Sequence, residues 1–200
     1  LDMNISKKIV GLTLLLLFGN GVAVAADYNK GLKAYHLGDF KTTIAEWTPL
    51  AEQGNFAAQH NLGVMYDTGE GVPENNKTAV KWYTKAAKRG LATSQYNLAR
   101  MYADGEGVLE NDKTAVKWFT KAAEQGDADA QFNLGVMYFK GEGVLTDNRR
   151  SYMWFNLASY SGSEKAGENK DKVTKQMTPA DISKAQDMSS RCLESNYTDC

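Results

Sequence analysis

The sequence predicts an all-α protein, an α/α solenoid of helix–turn–helix repeats closed by a C-terminal helical cap. Three observations carry this reading. Trp82, Trp118 and Trp154 recur every 36 residues, as do Gln59, Gln95 and Gln131, Asn61, Asn97 and Asn133, and Leu62, Leu98 and Leu134. Gly-Glu-Gly-Val returns at 69–72, 105–108 and 141–144. Each unit also holds two apolar stripes at helical spacing, and one such hairpin cannot bury its own apolar face, so neighbours must stack.

In chain order, residues 1–26 read as a cleaved signal peptide. Lys7 and Lys8 precede a short apolar run, 9–18, and Ala23-Val24-Ala25-Ala26 offers small residues for cleavage after Ala25 or Ala26, with Met3 the expected start. The apolar run is too short to span a bilayer comfortably, which disfavours an uncleaved anchor. Residues 27–54 form an atypical N-terminal repeat that turns at Gly38-Asp39-Phe40, with a kink expected at Pro49. Three full repeats follow at 55–90, 91–126 and 127–162. In the first, Ala58, Leu62, Met65 and Tyr66 line one helix, and Ala79, Trp82, Tyr83, Ala86 and Ala87 line the next. The paired glycines end the first helix, Asn75-Asn76 can cap the second, and Gly90, Gly126 and Gly162 close each unit. Gly63 and Gly135, with Ala99 in the same slot, leave room for close helix approach. Residues 163–200 read as capping helices. Lys165–Met177 is charged and weakly periodic, and Thr178-Pro179 looks like a helix start.

The pattern Ala-x-x-Leu-Gly-x-Met-Tyr, Gly-x-Gly-Val, Ala-x-x-Trp-Tyr-x-Lys-Ala-Ala-x-x-Gly resembles the Sel-one-like repeat, a longer-looped relative of the tetratricopeptide repeat. The likeness is close over 55–162 and looser over 28–54, where the Gly-x-Gly-Val loop is missing. It implies a right-handed α/α solenoid whose first helices line a concave groove for a peptide or protein. On that basis the expected partner-binding residues are Asn61, Asn97 and Asn133, with His60, Tyr96 and Phe132 beside them. Varying positions such as Arg100 and Phe139 would set specificity. An asparagine amide both donates and accepts, so it can pair with peptide backbone of either polarity. The competing reading ties these asparagines to the neighbouring repeat's backbone. His60 also reads as a packing ring.

The composition narrows the function further. The chain holds 23 basic and 24 acidic residues, and without its first 26 residues the balance is 21 to 23. No basic footprint for nucleic acid is present. No later segment is long and apolar enough to stay in a membrane once the signal is cleaved, so a periplasmic or secreted protein is expected. Cys192 and Cys200 are the only cysteines; in an oxidising compartment they read as a disulfide, with a reactive redox pair as the alternative. His36 and His60 lack the third ligand a metal site needs. No catalytic, cofactor or metal residues are identified. Cysteine-rich relatives described as weak beta-lactamases or penicillin binders raise a hydrolase alternative. Against it, Ser-x-x-Lys is absent, and Lys77-Thr78-Ala79 and Lys113-Thr114-Ala115 open helices and follow the repeat period. The stripe Lys77, Lys81, Lys85 and Lys88, echoed by Lys113, Lys117 and Lys121, reads as a solvated outer face, with contact to an anionic surface as the rival. The slots of Lys81, Lys85 and Lys88 hold Met153, Leu157 and Tyr160 in the last repeat, so the chain end, through Ile182, Ala185 and Cys192, is expected to fold over them, with a partner protein or a homodimer contact as the rival cover.

Overall fold

The computed structural model describes residues 26–200; the expected signal segment lies outside them save for Ala26. Among the described residues ten α-helices follow one another, with no strand. They are α1 (Tyr28–His36), α2 (Phe40–Glu52), α3 (Phe56–Thr68), α4 (Asn76–Lys88), α5 (Ala92–Asp104), α6 (Asp112–Ala123), α7 (Ala128–Lys140), α8 (Asn148–Tyr160), α9 (Glu164–Thr174) and α10 (Pro179–Glu194). Successive helices pack on each other throughout α1–α9, and α10 returns to pack on α8. That sequential contact pattern is the solenoid.

The repeat motif fixes each boundary. Asn55, Asn75, Asn111, Asp127 and Asp147 cap their helices by accepting backbone N–H bonds. First helices end on Gly69, Gly105 and Gly141 in the left-handed conformation. One bond then closes every loop: Asn75, Asn111 and Asp147 donate their backbone N–H to the carbonyls of Tyr66, Tyr102 and Tyr138 at 2.8, 2.8 and 2.9 Å. The second glycine of the loop is a contact between units. At Gly107, with φ +71°, a Cβ would lie 2.4 Å from the backbone of Asn76, the first residue of α4. At Gly143 it would lie 2.5 Å from the backbone of Asp112.

Beneath the loops, Trp47, Tyr83, Phe119 and Phe155 follow at the 36-residue spacing, all buried. Tyr83 and Phe155 fill the space left by Gly63 and Gly135, where a Cβ would come within 2.6 Å of either ring. Gln59, Gln95 and Gln131 are buried and donate to the carbonyls of Ala51, Ala87 and Ala123 at 2.8, 3.1 and 3.2 Å. Each bond ties a first helix to the end of the preceding unit. Leu62, Leu98 and Leu134 are buried between units, whereas the same slot holds Lys30 in α1 and Lys170 in α9. A lysine replaces leucine where stacking stops, as a solenoid end requires.

The second helices differ in how far their tryptophans are covered. Trp82 and Trp154 are buried, but Trp118 is only half-buried. The lysine stripe stays at the surface, with Lys81, Lys88, Lys117 and Lys121 exposed, while Lys85 Nζ sits 4.4 Å above the Trp82 ring and Lys121 Nζ 5.2 Å above Trp118. α2 runs without a break through Pro49.

The cap covers most of the apolar stripe. Met153 and Leu157 are buried in one cluster with Cys192, and Met188, Leu193 and Tyr197 pack against it. Ile182 and Ala185 instead join Tyr152, Phe155, Ala166 and Val173. Tyr160 was expected to be covered too, but it is 74% exposed, because it is the last residue of α8 and lies outside both clusters. Cys192 and Cys200 are joined as a disulfide, and Tyr197 at positive φ turns the tail back beside Gly126.

Candidate partner-binding face

The first helices α1, α3, α5, α7 and α9 repeat one arrangement. An aromatic ring from each of the first four leans on the buried ring of its own second helix. The pairs are Tyr28–Trp47, His60–Tyr83, Tyr96–Phe119 and Phe132–Phe155, with centroids 5.8, 5.8, 5.8 and 5.6 Å apart. His60, Tyr96 and Phe132 therefore serve packing on one side and remain partly exposed on the other.

The next residue in each helix is the asparagine. Asn61 donates to the Tyr28 hydroxyl at 3.0 Å, Asn97 stands beside the Tyr83 hydroxyl, and Asn133 donates to its own-helix Asp129 carbonyl at 2.8 Å. No hydrogen bond among the described residues links these amides to a neighbouring unit's backbone. Two rungs escaped the sequence reading. Asn29 precedes Asn61 by 32 residues, because the first unit lacks the Gly-x-Gly-Val insertion, and Asn169 follows Asn133 by 36. Asn169 Nδ2 donates to the Lys165 carbonyl at 2.8 Å, as Asn133 does to Asp129. Ala166 and Val173 occupy the buried slots of Ala130 and Met137. The 36-residue count, carried past the last tryptophan, was the available signal.

Three residues beyond each asparagine the side chains diverge: Leu32, Val64, Arg100, Val136 and Lys172. Arg100 is not free. Its guanidinium pairs with Asp67 at 2.7 Å and Glu106 at 2.9 Å, and the Tyr83 hydroxyl donates to the same Asp67 oxygen at 3.2 Å. Burial, and then the Asp67 charge, raise the Tyr83 pKa and keep that hydroxyl protonated. This network bridges α3 to α5. Cavities flank it along the row. One of about 110 Å³ lies among Leu32, Tyr35, Trp47, Asn61 and Val64. A second of about 300 Å³ lies between α5 and α7, with Phe119, Val136 and Met137 in its lining and Asp104, Glu110 and Asp112 around it. A third of about 360 Å³ lies between α7 and α9, lined by Phe132, Val136, Phe139, Phe155 and Val173.

For catalysis the arrangement offers little. His60 Nδ1 shares a hydrogen bond with Ser94 Oγ at 2.8 Å, but Ser94 is fully buried, so a substrate carbonyl has no path to that hydroxyl. Burial also lowers the His60 pKa. Lys77, Thr78 and Lys113, Thr114 lie in the first turns of α4 and α6. Among the described residues no three of His, Cys, Asp or Glu cluster as a metal site would, and no helix is long and apolar enough to cross a membrane.

This combination, a stacked helical solenoid with a repeated polar and aromatic row, defines an α/α repeat protein. The chain belongs to the Sel1 repeat family, whose profile matches residues 56–91, 92–127 and 128–163, more than half of its length. Among solved structures it is similar to a Sel1 repeat protein from Oxalobacter formigenes, at 33% identity and TM-score 0.68, over 72% of this chain and 59% of that one. It is also similar to a protective antigen of uropathogenic Escherichia coli strains with an SLR fold, at 28% identity and TM-score 0.51, over 82% of this chain and 45% of that one. Helicobacter pylori cysteine rich protein B shares the fold at 21% identity and TM-score 0.52, over 65% of this chain and 93% of that one. The chain thus spans less than two thirds of the first two relatives. No curated protein is significantly similar to it in sequence.

Proposed function

We propose that the chain is a non-enzymatic adaptor, periplasmic or secreted, that holds a peptide or protein segment along the first-helix face. The observation that carries this reading is the division of labour between layers. The rings and glutamines beneath the face repeat from unit to unit, while the row Leu32, Val64, Arg100, Val136 and Lys172, half-buried in the first four and exposed in the last, changes in size and charge. Packing alone would favour one residue type at that slot. The apolar cavities between first helices supply anchoring sites, and the asparagine amides supply hydrogen bonds. The Cys192–Cys200 disulfide fits an oxidising compartment. The residues of the row act as contacts for the partner, with Asn61, Asn97 and Asn133 at its centre.

The test places a photo-crosslinking amino acid at position 97 on the first-helix face or at 117 on the second-helix face, in producing cells. The reading expects a discrete partner band from 97 and none from 117, and N-terminal sequencing of the protein recovered outside the cytoplasm should begin at Ala26 or Asp27. Equal labelling from both positions, or a cytoplasmic chain retaining its N-terminus, contradicts it.

A further inference from the structure

Adjacent first helices meet through two slots, and their contents differ along the row. Between α3 and α5 the slots hold Asp67 and Arg100, which form an ion pair at 2.7 Å. Between α7 and α9 the same two slots, 72 residues on, hold Phe139 and Lys172. The cation is kept and its acid is replaced by an aromatic ring. Lys172 Nζ reaches only the Asn169 amide oxygen, at 3.4 Å, and pairs with no carboxylate among the described residues. Beside it lies the 360 Å³ cavity, whose size is at the lower end of small-ligand pockets and suits one or two side chains. Phe155 and Val173 close its floor and are buried. Lys140 stands at the same rim, although it also contacts Glu142 at 3.2 Å.

An apolar pocket with an unmatched cation at its mouth has a complementary occupant. We propose that the α7–α9 pocket takes a large apolar side chain of a partner peptide whose adjacent residues are acidic, a carboxylate of the peptide pairing with Lys172 in the place Asp67 takes beside Arg100. The proposal rests on the adaptor reading and adds the partner's chemistry. Aromatic anchors in desolvated pockets dominate binding energy, and a charge at the rim selects among partners.

The full chain is titrated by fluorescence anisotropy with three labelled, end-blocked peptides of Gly and Ser that differ only in a central Glu-Phe-Glu, Lys-Phe-Lys or Glu-Ser-Glu. Glu-Phe-Glu is expected to bind at least ten-fold more tightly than either other peptide. Lys172→Glu should reverse the preference towards Lys-Phe-Lys. Phe139→Asp restores the Asp67 pattern, should satisfy Lys172 internally and should abolish Glu-Phe-Glu binding. Circular dichroism checks that both variants are folded. Binding of none of the peptides, equal binding of all three, or a preference untouched by Lys172→Glu overturns the proposal. The position-97 crosslink separates the two readings: a partner captured there without Glu-Phe-Glu binding removes this inference and leaves the adaptor in place.

Discussion

Gly107→Ala and Gly90→Ala together isolate what the second loop glycine does for stacking. Both positions have positive φ, +71° and +95°, so alanine at either one carries a left-handed cost of roughly 1–2 kcal/mol. They differ in surroundings. A Cβ at Gly90 meets nothing within 4 Å, whereas at Gly107 it would lie 2.4 Å from the backbone of Asn76. Backbone at a helix start cannot rotate aside as a side chain can, so α4 must retreat from the loop of the following unit. Overpacking of this kind adds about 1–3 kcal/mol. Urea unfolding followed by circular dichroism should therefore place Gly107→Ala below Gly90→Ala by about that amount, or roughly 2–12 °C in Tm for a chain of this size. Equal losses would refute the claim that the loop glycine is a seat for the neighbouring unit.

Other expectations follow from burial and charge. Leu157→Ala, fully buried beneath α10, should cost about 2–5 kcal/mol, while Tyr160→Ser at 74% exposure should be near neutral in the same unfolding assay. Burial depresses the His60 pKa below 6.5, so the unfolded chain takes up a proton that the folded chain refuses. Stability is full above that pH and is lost as pH falls through about 6.5 towards the folded pKa; Tm measured from pH 7.5 to 5 should drop, and His60→Gln should flatten that segment. Reducing Cys192–Cys200 opens a short loop, for which chain entropy gives roughly 2–3 kcal/mol. Exposed apolar surface around Met153 and Leu157 should then bind a hydrophobic dye more readily, and a dye signal indifferent to reductant would detach the disulfide from the cap.

Much of this fold was legible because the repeat states it three times. Gly-x-Gly, the capping asparagines and the tryptophan period each point to the same helix boundaries, and the boundaries lie there. The ends were harder, since stacking stops there and the pattern is rewritten: Lys30 and Lys170 replace the buried leucine, and a four-residue shortening hides Asn29. Burial of the tryptophans was not legible from period alone. Trp118 shares its spacing with Trp82 and Trp154 yet stays half-open, because exposure depends on which neighbour covers each ring. The face was legible as a row of residue types, but its pairings were not. That Arg100 is already held by Asp67 and Glu106, while Lys172 in the same slot lacks an acid, depends on residues 33 positions apart in sequence being brought together by stacking.

If the first-helix row recognises the partner and the second-helix layer only supports it, the two layers respond differently to binding. Titrating ¹⁵N-labelled protein with the segment recovered from the position-97 crosslink tests this directly. The side-chain amides of Asn61, Asn97 and Asn133 should shift together while the indole N–H signals of Trp82 and Trp118 stay in place. Movement of the indoles with the asparagine amides unmoved would contradict it.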